Sequence, residues 1–118
     1  MPKVLVVEDE PTQAEVLMAL LKCEGFDTAI AINGKDALDQ LDRVGPDLII
    51  TDYMMPLMDG GEMAQRVRAS ALHAGVPIVM TSATEPRQVE RYAAYFNAFH
   101  RKPYLWDELF ATIKKLLA

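Results

Sequence analysis

Short apolar runs alternate along the chain with longer stretches in which apolar residues recur every three or four positions. The runs cover residues 4–7, 26–31, 48–51, 78–80 and 98–101. A short apolar run rich in β-branched residues is typical of a strand that is buried on both faces. The pattern therefore predicts five strands, of which the second has the weakest signal.

The stretches between the runs have the spacing of amphipathic helices. Their apolar positions are Val16, Leu17, Leu20 and Leu21; Ala37, Leu38 and Leu41; Met63 and Val67; Val89, Tyr92 and Ala93; and Leu109, Phe110, Ile113, Leu116 and Leu117. Gly25 is expected to end the first helix, and Asn33 is expected to cap the second. Gly45-Pro46 predicts a turn, and residues 52–60 predict a loop.

A strand followed by a helix, repeated five times, predicts an α/β fold with a parallel sheet and helices on both faces. Because the crossovers are helical, the carboxyl ends of all the strands should meet at one edge of the sheet. Ligands of open α/β sheets bind at that edge. No linker, repeat or low-complexity segment interrupts the pattern, so we predict one domain over residues 1–118.

Composition narrows the class of protein. A chain of 118 residues with a net charge of −5 is long enough for one core, and its charge disfavours direct binding to nucleic acid. No apolar run approaches the roughly 20 residues that span a membrane. The one cysteine, Cys23, excludes an internal disulfide, and we expect its thiol to be packed. These features predict a soluble, cytoplasmic protein that does not bind membranes.

Reactive side chains follow four of the five predicted strands. Glu8 and Asp9 follow the first strand, Asp52 the third, Ser82 the fourth and Lys102 the fifth. Each of them alone has an ordinary explanation as a helix cap, a turn residue or a solvated surface group. Their shared position at one predicted edge is the feature that indicates a site.

These residue types suit phosphoryl transfer assisted by a metal ion. Clustered carboxylates repel one another, and a hard divalent cation with oxygen ligands, such as Mg²⁺, relieves that repulsion. A carboxylate can also act as a nucleophile and form an aspartyl phosphate. The metal, a lysine ammonium and a serine hydroxyl can each neutralise or bind one oxygen of the phosphoryl group.

With these residues the chain resembles a known family, the receiver domain of response regulators in two-component signalling, over essentially its whole length. The matching segments are VLVVEDE at 4–10, DYMMPLMDG at 52–60, PIVMTSA at 77–83 and KP at 102–103. The resemblance implies a flavodoxin-like, doubly wound sheet of order 2-1-3-4-5. It points to the stand-alone, chemotaxis type of regulator, although the receiver part of a longer regulator would read the same.

The resemblance also implies a role for each site residue. Asp52 would be the phosphoacceptor. Asp9, Asp52 and the backbone carbonyl of Met54 would ligate Mg²⁺, and Glu8 would act mostly through a metal-bound water. Lys102 would pair with the acceptor carboxylate or with its phosphate.

The resemblance further implies which residues would move during switching and which backbone features accompany them. Ser82 would move to bind the phosphate, and Phe99 would change rotamer with it. The peptide bond between Lys102 and Pro103 is a candidate for the cis form. The family usually has a glycine before the fifth strand, and here Asn97 could adopt the left-handed conformation instead.

The implied partners are a phosphohistidine donor and an output protein. The donor would be a sensor histidine kinase or a histidine phosphotransfer protein. An output protein or a fused effector would bind the face formed by the fourth helix, the fifth strand and the fifth helix, where six of the nine aromatic residues lie between Tyr92 and Trp106. The protein would be a regulatory phosphoacceptor that assists its own phosphorylation and slow dephosphorylation, and not an enzyme.

Three alternatives share the topology. A flavin-binding domain would need a glycine-rich or hydroxyl-rich phosphate loop after the first strand, where this chain has acids. A phosphatase with an aspartate nucleophile usually has a second aspartate two residues later, where this chain has Met54. The third alternative, a receiver-shaped module that binds partners without phosphorylation, is not excluded by the sequence.

Overall fold

Five short strands form the centre of the protein, which a computed structural model describes over residues 1–118. The strands are β1 (Lys3–Val7), β2 (Asp27–Ala31), β3 (Leu48–Asp52), β4 (Ile78–Ser82) and β5 (Ala98–Arg101). All of them pair in parallel in the order β2-β1-β3-β4-β5. The predicted strands and the predicted order 2-1-3-4-5 are therefore confirmed.

A helix follows each strand. The helices are α1 (Pro11–Cys23), α2 (Gly34–Val44), α3 (Gly60–Ala69), α4 (Pro86–Val89) and α5 (Trp106–Leu117), and a 3₁₀ segment, Glu90–Tyr95, continues α4. None of these helices has the length and apolar character that crossing a membrane demands.

Alternate strand residues pack into two separate cores, one on each face of the sheet. Leu5 and Val7 of β1 belong to a core that also contains residues of α2 and α3. Val4 and Val6 belong to the other core, with residues of α1 and α5. Side chains of a strand point to opposite faces with a period of two, so a strand that is apolar throughout serves both cores. This explains why the sequence shows unbroken apolar runs.

Local capping interactions fix the helix boundaries close to where the sequence predicts them. The Asn33 side chain accepts a hydrogen bond of 2.8 Å from the Asp36 N–H at the start of α2. Gly25 follows α1 with φ of 90°, and Gly45 ends α2 with φ of 57°. Left-handed backbone of this kind favours glycine, because a Cβ atom is strained there.

The fourth helix departs from the prediction. Regular α-helix covers only Pro86–Val89, and the predicted apolar positions Tyr92 and Ala93 lie in the 3₁₀ segment, where no residue is fully buried. Val89 is the one buried residue of α4, and the helix start has no side-chain capping bond. Helices of this length depend on packing of an apolar face. This segment has too small an apolar face to extend the α-helix.

Three smaller expectations are wrong. Asn97 is not left-handed; its side-chain oxygen instead accepts hydrogen bonds from the Ile78 N–H at 2.8 Å and from Arg68 at 2.9 Å. Cys23 is exposed, not packed. Val16 is 57% exposed, because the buried stripe of α1 runs through Ala14, Leu17 and Leu21.

Candidate functional site

The carboxyl ends of three strands bring four charged side chains together. Glu8 and Asp9 directly follow β1, Asp52 is the last residue of β3, and Lys102 directly follows β5. Oxygen atoms of the three carboxylates lie within 4.8 Å of one another. The parallel register aligns Val7 with Thr51. The strand pairing thus sets Glu8 beside Asp52, although 44 positions separate them in the chain.

Lys102 is the cation of this cluster. Its Nζ donates hydrogen bonds to Glu8 Oε1 at 2.9 Å and to Gln13 Oε1 at 2.7 Å, and it lies 3.4 Å from Asp52 Oδ2. The peptide bond from Lys102 to Pro103 is cis, as the family resemblance implies. In this state the ammonium is bound more closely by Glu8 than by Asp52, whereas the family resemblance implies pairing with Asp52.

Burial makes the ionised carboxylates costly. Burial raises the pKa of Glu8 and of Asp52, and the nearby Lys102 only partly reverses the shift. Burial alone would lower the pKa of Lys102, but its hydrogen bond to Glu8 and the charge of Asp52 raise it overall. The acids are therefore held in an environment where an added cation is strongly favoured.

The donor set fits a magnesium ion. Glu8, Asp9 and Asp52 contribute only oxygen atoms, and Lys102 supplies one positive charge against their three negative charges. Hard divalent cations prefer carboxylate and carbonyl oxygens, and Mg²⁺ commonly uses few carboxylates and keeps its waters. Asp9 is exposed, so the cluster is open on one side to an incoming ion.

Ser82 lies at the same edge but is engaged elsewhere. Its side chain is fully buried, its Oγ accepts a hydrogen bond of 3.0 Å from the Thr84 N–H, and it lies 2.7 Å from Thr84 Oγ1. The predicted serine is thus near the cluster, and its hydrogen-bonding capacity is used within the loop that follows β4.

Two other predicted residues lie on or next to strands that end at this edge of the sheet. Phe99 on β5 is half-buried, and its ring centroid is 6.5 Å from that of Phe96, against the core on the α2 and α3 face. Met54 lies in the loop after β3, and its side chain is 58% exposed. A thioether is not a ligand that Mg²⁺ prefers, so only the backbone carbonyl of Met54 is a candidate ligand.

Gln13 was not predicted from the sequence as a site residue, yet its side chain contacts Lys102. Glu10, the residue before α1, is exposed beside it. Glu10 is the N-cap of α1, where its carboxylate accepts hydrogen bonds from the N–H groups of Thr12 and Gln13. Pro11 indicates in the sequence where α1 begins, since proline favours the first position of a helix. A helix beginning at Pro11 would have put Gln13 in its first turn, beside the predicted site.

We expect magnesium to stabilise the protein more as the pH rises from about 4.5 to 7.5. Glu8 and Asp52 have raised pKa values in the fold, so the folded chain binds their protons more readily than the unfolded chain. Their contribution to stability is therefore present at low pH and lost as the pH rises through the folded pKa values. Bound Mg²⁺ stabilises the ionised acids and offsets that loss.

Thermal unfolding at several pH values, with and without Mg²⁺, measures this effect. A tenfold excess of free Mg²⁺ over its dissociation constant corresponds to about 1.4 kcal/mol of stabilisation. Mg²⁺ stabilisation that is equal at pH 4.5 and 7.5 would show that these carboxylates do not bind the ion. Mg²⁺-free buffer with NaCl added to the same ionic strength controls for screening.

Comparison with known proteins assigns the family. The model of the response regulator receiver domain matches residues 4–114. The sensory transduction protein RegX3 of Mycobacterium tuberculosis is 35% identical over 119 residues, which is 99% of this chain and 51% of that protein. The DNA-binding response regulator MtrA of Mycolicibacterium smegmatis is 43% identical over 81 residues, 69% of this chain and 34% of that protein. The chain thus spans about half the length, or less, of these curated relatives.

Solved structures agree in fold. The response regulator TrrA of Thermotoga maritima, solved in complex with Mg²⁺–BeF, has a TM-score of 0.90 at 32% identity, covering 99% of this chain and 100% of that chain. A chemotaxis protein of Vibrio cholerae, CheY4, has a TM-score of 0.91 at 28% identity, covering 99% of both chains.

The fold and the acidic edge therefore define a regulatory domain of the flavodoxin-like class. The chain belongs to the response regulator receiver family. Its function is that of a phosphoacceptor switch in two-component signalling.

Proposed function

We propose that Asp52 is the residue that accepts the phosphoryl group. The observation that carries the proposal is the placement of its carboxylate, which ends the buried strand β3 within 4.8 Å of the oxygens of Glu8 and Asp9 and 3.4 Å from Lys102 Nζ. A nucleophile of phosphoryl transfer needs such charge neutralisation nearby more than it needs a general base. Asp52 is the one carboxylate of the cluster that belongs to a strand, as the last residue of β3, whereas Glu8, which also contacts Lys102, follows β1.

Mg²⁺ is the proposed cofactor. Asp9, Asp52 and the backbone carbonyl of Met54 would ligate it, and Glu8 would contribute mostly through a bound water. When bound, the ion neutralises charge on the phosphoryl oxygens and on the carboxylates. TrrA, which is similar to this chain, was solved with Mg²⁺–BeF, and the oxygen-only donor set supports the same ion here.

In the proposed reaction a carboxylate oxygen of Asp52 attacks the phosphorus of a phosphohistidine. The new O–P bond forms as the N–P bond to the donor histidine breaks, and the bonding electrons return to the imidazole ring. Lys102 would hold one phosphoryl oxygen by a charge-assisted hydrogen bond. Its Nζ lies 3.4 Å from Asp52 Oδ2, beside the carboxylate that would carry the phosphoryl group.

Switching would follow from the hydroxyl of Ser82. We propose that this hydroxyl leaves Thr84, its present partner at 2.7 Å, and donates to a phosphoryl oxygen. The space next to β4 and β5 would then change, and the ring of Phe99 would change rotamer. Hydrolysis of the aspartyl phosphate would return the domain to its first state. We propose that this self-dephosphorylation is slow. Met54 offers no polar side chain to orient a water, and Thr84 has a hydroxyl that could do so.

The proposed partners follow from the family and from the surface. A sensor histidine kinase or a histidine phosphotransfer protein would donate the phosphoryl group, and the cytoplasm would be the compartment. An output protein or a fused effector would bind the face made by α4 with its 3₁₀ segment, β5 and α5. Tyr95 and Trp106 are half-buried there, so part of each ring is available for contact.

Intact mass after incubation with acetyl phosphate tests the proposal. We expect one added phosphoryl group with Mg²⁺ and none when EDTA replaces the metal. Peptide mapping after borohydride reduction should locate the adduct at Asp52. Some receivers accept phosphate only from a kinase, so calorimetry with beryllofluoride and Mg²⁺ runs in parallel. If the protein neither accepts phosphate from acetyl phosphate nor binds beryllofluoride with Mg²⁺, an interaction module that works without phosphorylation becomes the favoured function.

A further inference from the structure

The ammonium of Lys102 has three hydrogen atoms and three acceptors around it. Two of the acceptors are the acids Glu8 and Asp52, and the third is the amide oxygen of Gln13. Gln13 is the nearest of the three, at 2.7 Å, against 2.9 Å for Glu8 and 3.4 Å for Asp52. An ammonium can donate each of its hydrogens to a different acceptor. Gln13 therefore completes the coordination of the lysine.

Gln13 differs from the two acids in carrying no charge. It can fix the direction of the ammonium without neutralising it, so the positive charge of Lys102 stays available for a phosphoryl group. A flexible lysine side chain loses considerable rotamer entropy when it is held in one place. Three acceptors that hold it beforehand reduce that cost at the moment of reaction.

The main chain around Gln13 is itself held in place. The carboxylate of Glu10 accepts a hydrogen bond of 2.9 Å from the Gln13 N–H at the start of α1. The Gln13 side chain is exposed and lines a cavity of about 600 Å³ between α1 and the segment that follows β5, together with Val16, Pro103 and Trp106. A side chain of similar length fits at position 13 without disturbing the core.

We propose that Gln13 is a positioning residue for Lys102. It would hold the ammonium at the entrance of the site, within reach of Asp52, before the phosphoryl donor arrives. The proposal rests on the proposed function, in which Lys102 binds a phosphoryl oxygen. Loss of the amide oxygen would release the ammonium to water and slow phosphorylation without unfolding the protein.

The substitution Gln13→Met tests the proposal, since methionine keeps the length of the side chain and removes the strong acceptor. We expect phosphorylation by acetyl phosphate to slow about fivefold, the effect of one partly exposed hydrogen bond to a charged group. Gln88→Met is the matched control, because Gln88 is exposed on α4 and makes no side-chain hydrogen bond. Both variants should unfold at the temperature of the wild type.

A double-mutant cycle with Lys102→Met separates positioning from a general structural effect. If Gln13 acts through the lysine, Gln13→Met should change the rate by less than about 1.5-fold when Lys102 is already replaced. If Lys102→Met reacts too slowly to follow, the wild type, the two single variants and the double variant are compared by their affinity for beryllofluoride with Mg²⁺.

Each outcome decides the matter. An unchanged rate in Gln13→Met, or an equal slowing in the presence and absence of Lys102, overturns the role of Gln13 while leaving Asp52 as the acceptor. A wild-type protein that takes neither acetyl phosphate nor beryllofluoride overturns the proposed function and the role of Gln13 with it. These two failures differ, because only the second appears in the wild type.

Discussion

Replacing Asp52 with asparagine is expected to abolish phosphorylation and, without Mg²⁺, to make the protein more stable. The amide has nearly the shape of the carboxylate but is a far weaker nucleophile, so no phosphoryl adduct should form. The gain in stability follows from the raised pKa of Asp52, which shows that its ionised form is disfavoured in the fold even with Lys102 nearby. Opposite effects on activity and stability are typical of a functional acid.

The stability gain has an expected size. Removal of a carboxylate that is disfavoured by burial, and to a lesser extent by the charge of Asp9, corresponds to roughly 1 kcal/mol after solvent screening. For a chain of this length that is about 4 °C in Tm at pH 7. Thermal unfolding and intact mass measure both effects on one preparation. Asp39→Asn is the matched control, because Asp39 is exposed on α2, and its replacement should alter neither.

The stabilisation should vanish when Mg²⁺ saturates the wild type, since the ion stabilises the ionised form of the buried carboxylate. An asparagine variant that is less stable than the wild type in EDTA would show that the carboxylate is structural. A variant that still gains one phosphoryl group would move the acceptor to another residue, and peptide mapping would locate it.

Gly60→Ala is expected to destabilise the protein by about 3 kcal/mol, or roughly 10 °C in Tm. A Cβ atom at position 60 would lie 2.3 Å from the carbonyl oxygen of Asp52 and 3.0 Å from Met80 Sδ. The first of these atoms belongs to the backbone of a central strand, which cannot move without disturbing the sheet. Urea or thermal unfolding measures the loss.

Two other glycines serve as graded controls. At Gly61 a Cβ atom would lie 2.1 Å from the ring of Tyr92, which is a side chain on the loosely packed 3₁₀ segment and can swing aside. We expect Gly61→Ala to cost about 1 kcal/mol. Gly75 has open space around it and no positive φ, so Gly75→Ala should change stability by less than ~0.5 kcal/mol.

The order of the three effects is the test. If Gly60→Ala is as stable as Gly75→Ala, the loop after β3 is not packed against Asp52 as closely as the structure has it. If Gly61→Ala is the most damaging, the 3₁₀ segment is more rigid than its burial indicates. The contact between Gly61 and Tyr92 would then be a stronger link between α3 and the segment after α4.

Features that depend on neighbouring residues were predictable from the sequence. Unbroken apolar runs such as Val4 to Val7 predict strands buried on both faces, and the structure confirms all five. Asn33 predicts the start of α2 because a capping bond joins residues three apart. The same local logic puts Glu8, Asp9, Asp52 and Lys102 at strand ends, and parallel pairing brings them to one edge.

Features that depend on distant contacts were not predictable. The periodicity at Val89 and Tyr92 suggests a full fourth helix, but how much of it forms depends on packing that the chain does not encode locally. Asn97 could have been left-handed, yet the structure uses its side chain to accept from Ile78 and Arg68 instead. The conformation of Asn97 therefore depends on hydrogen-bond donors that are distant in the sequence.

By itself the sequence determined the order of strands and helices, the two-sided core, and the identity of the acids and the lysine at the carboxyl edge. These follow from residue periodicity and from the geometry of parallel sheets. Only the tertiary structure decided that Lys102 contacts Gln13 and Glu8 more closely than Asp52, and that Ser82 is held by Thr84. Side-chain partners are chosen by ångström-scale distances between segments, and 89 positions separate Gln13 from Lys102.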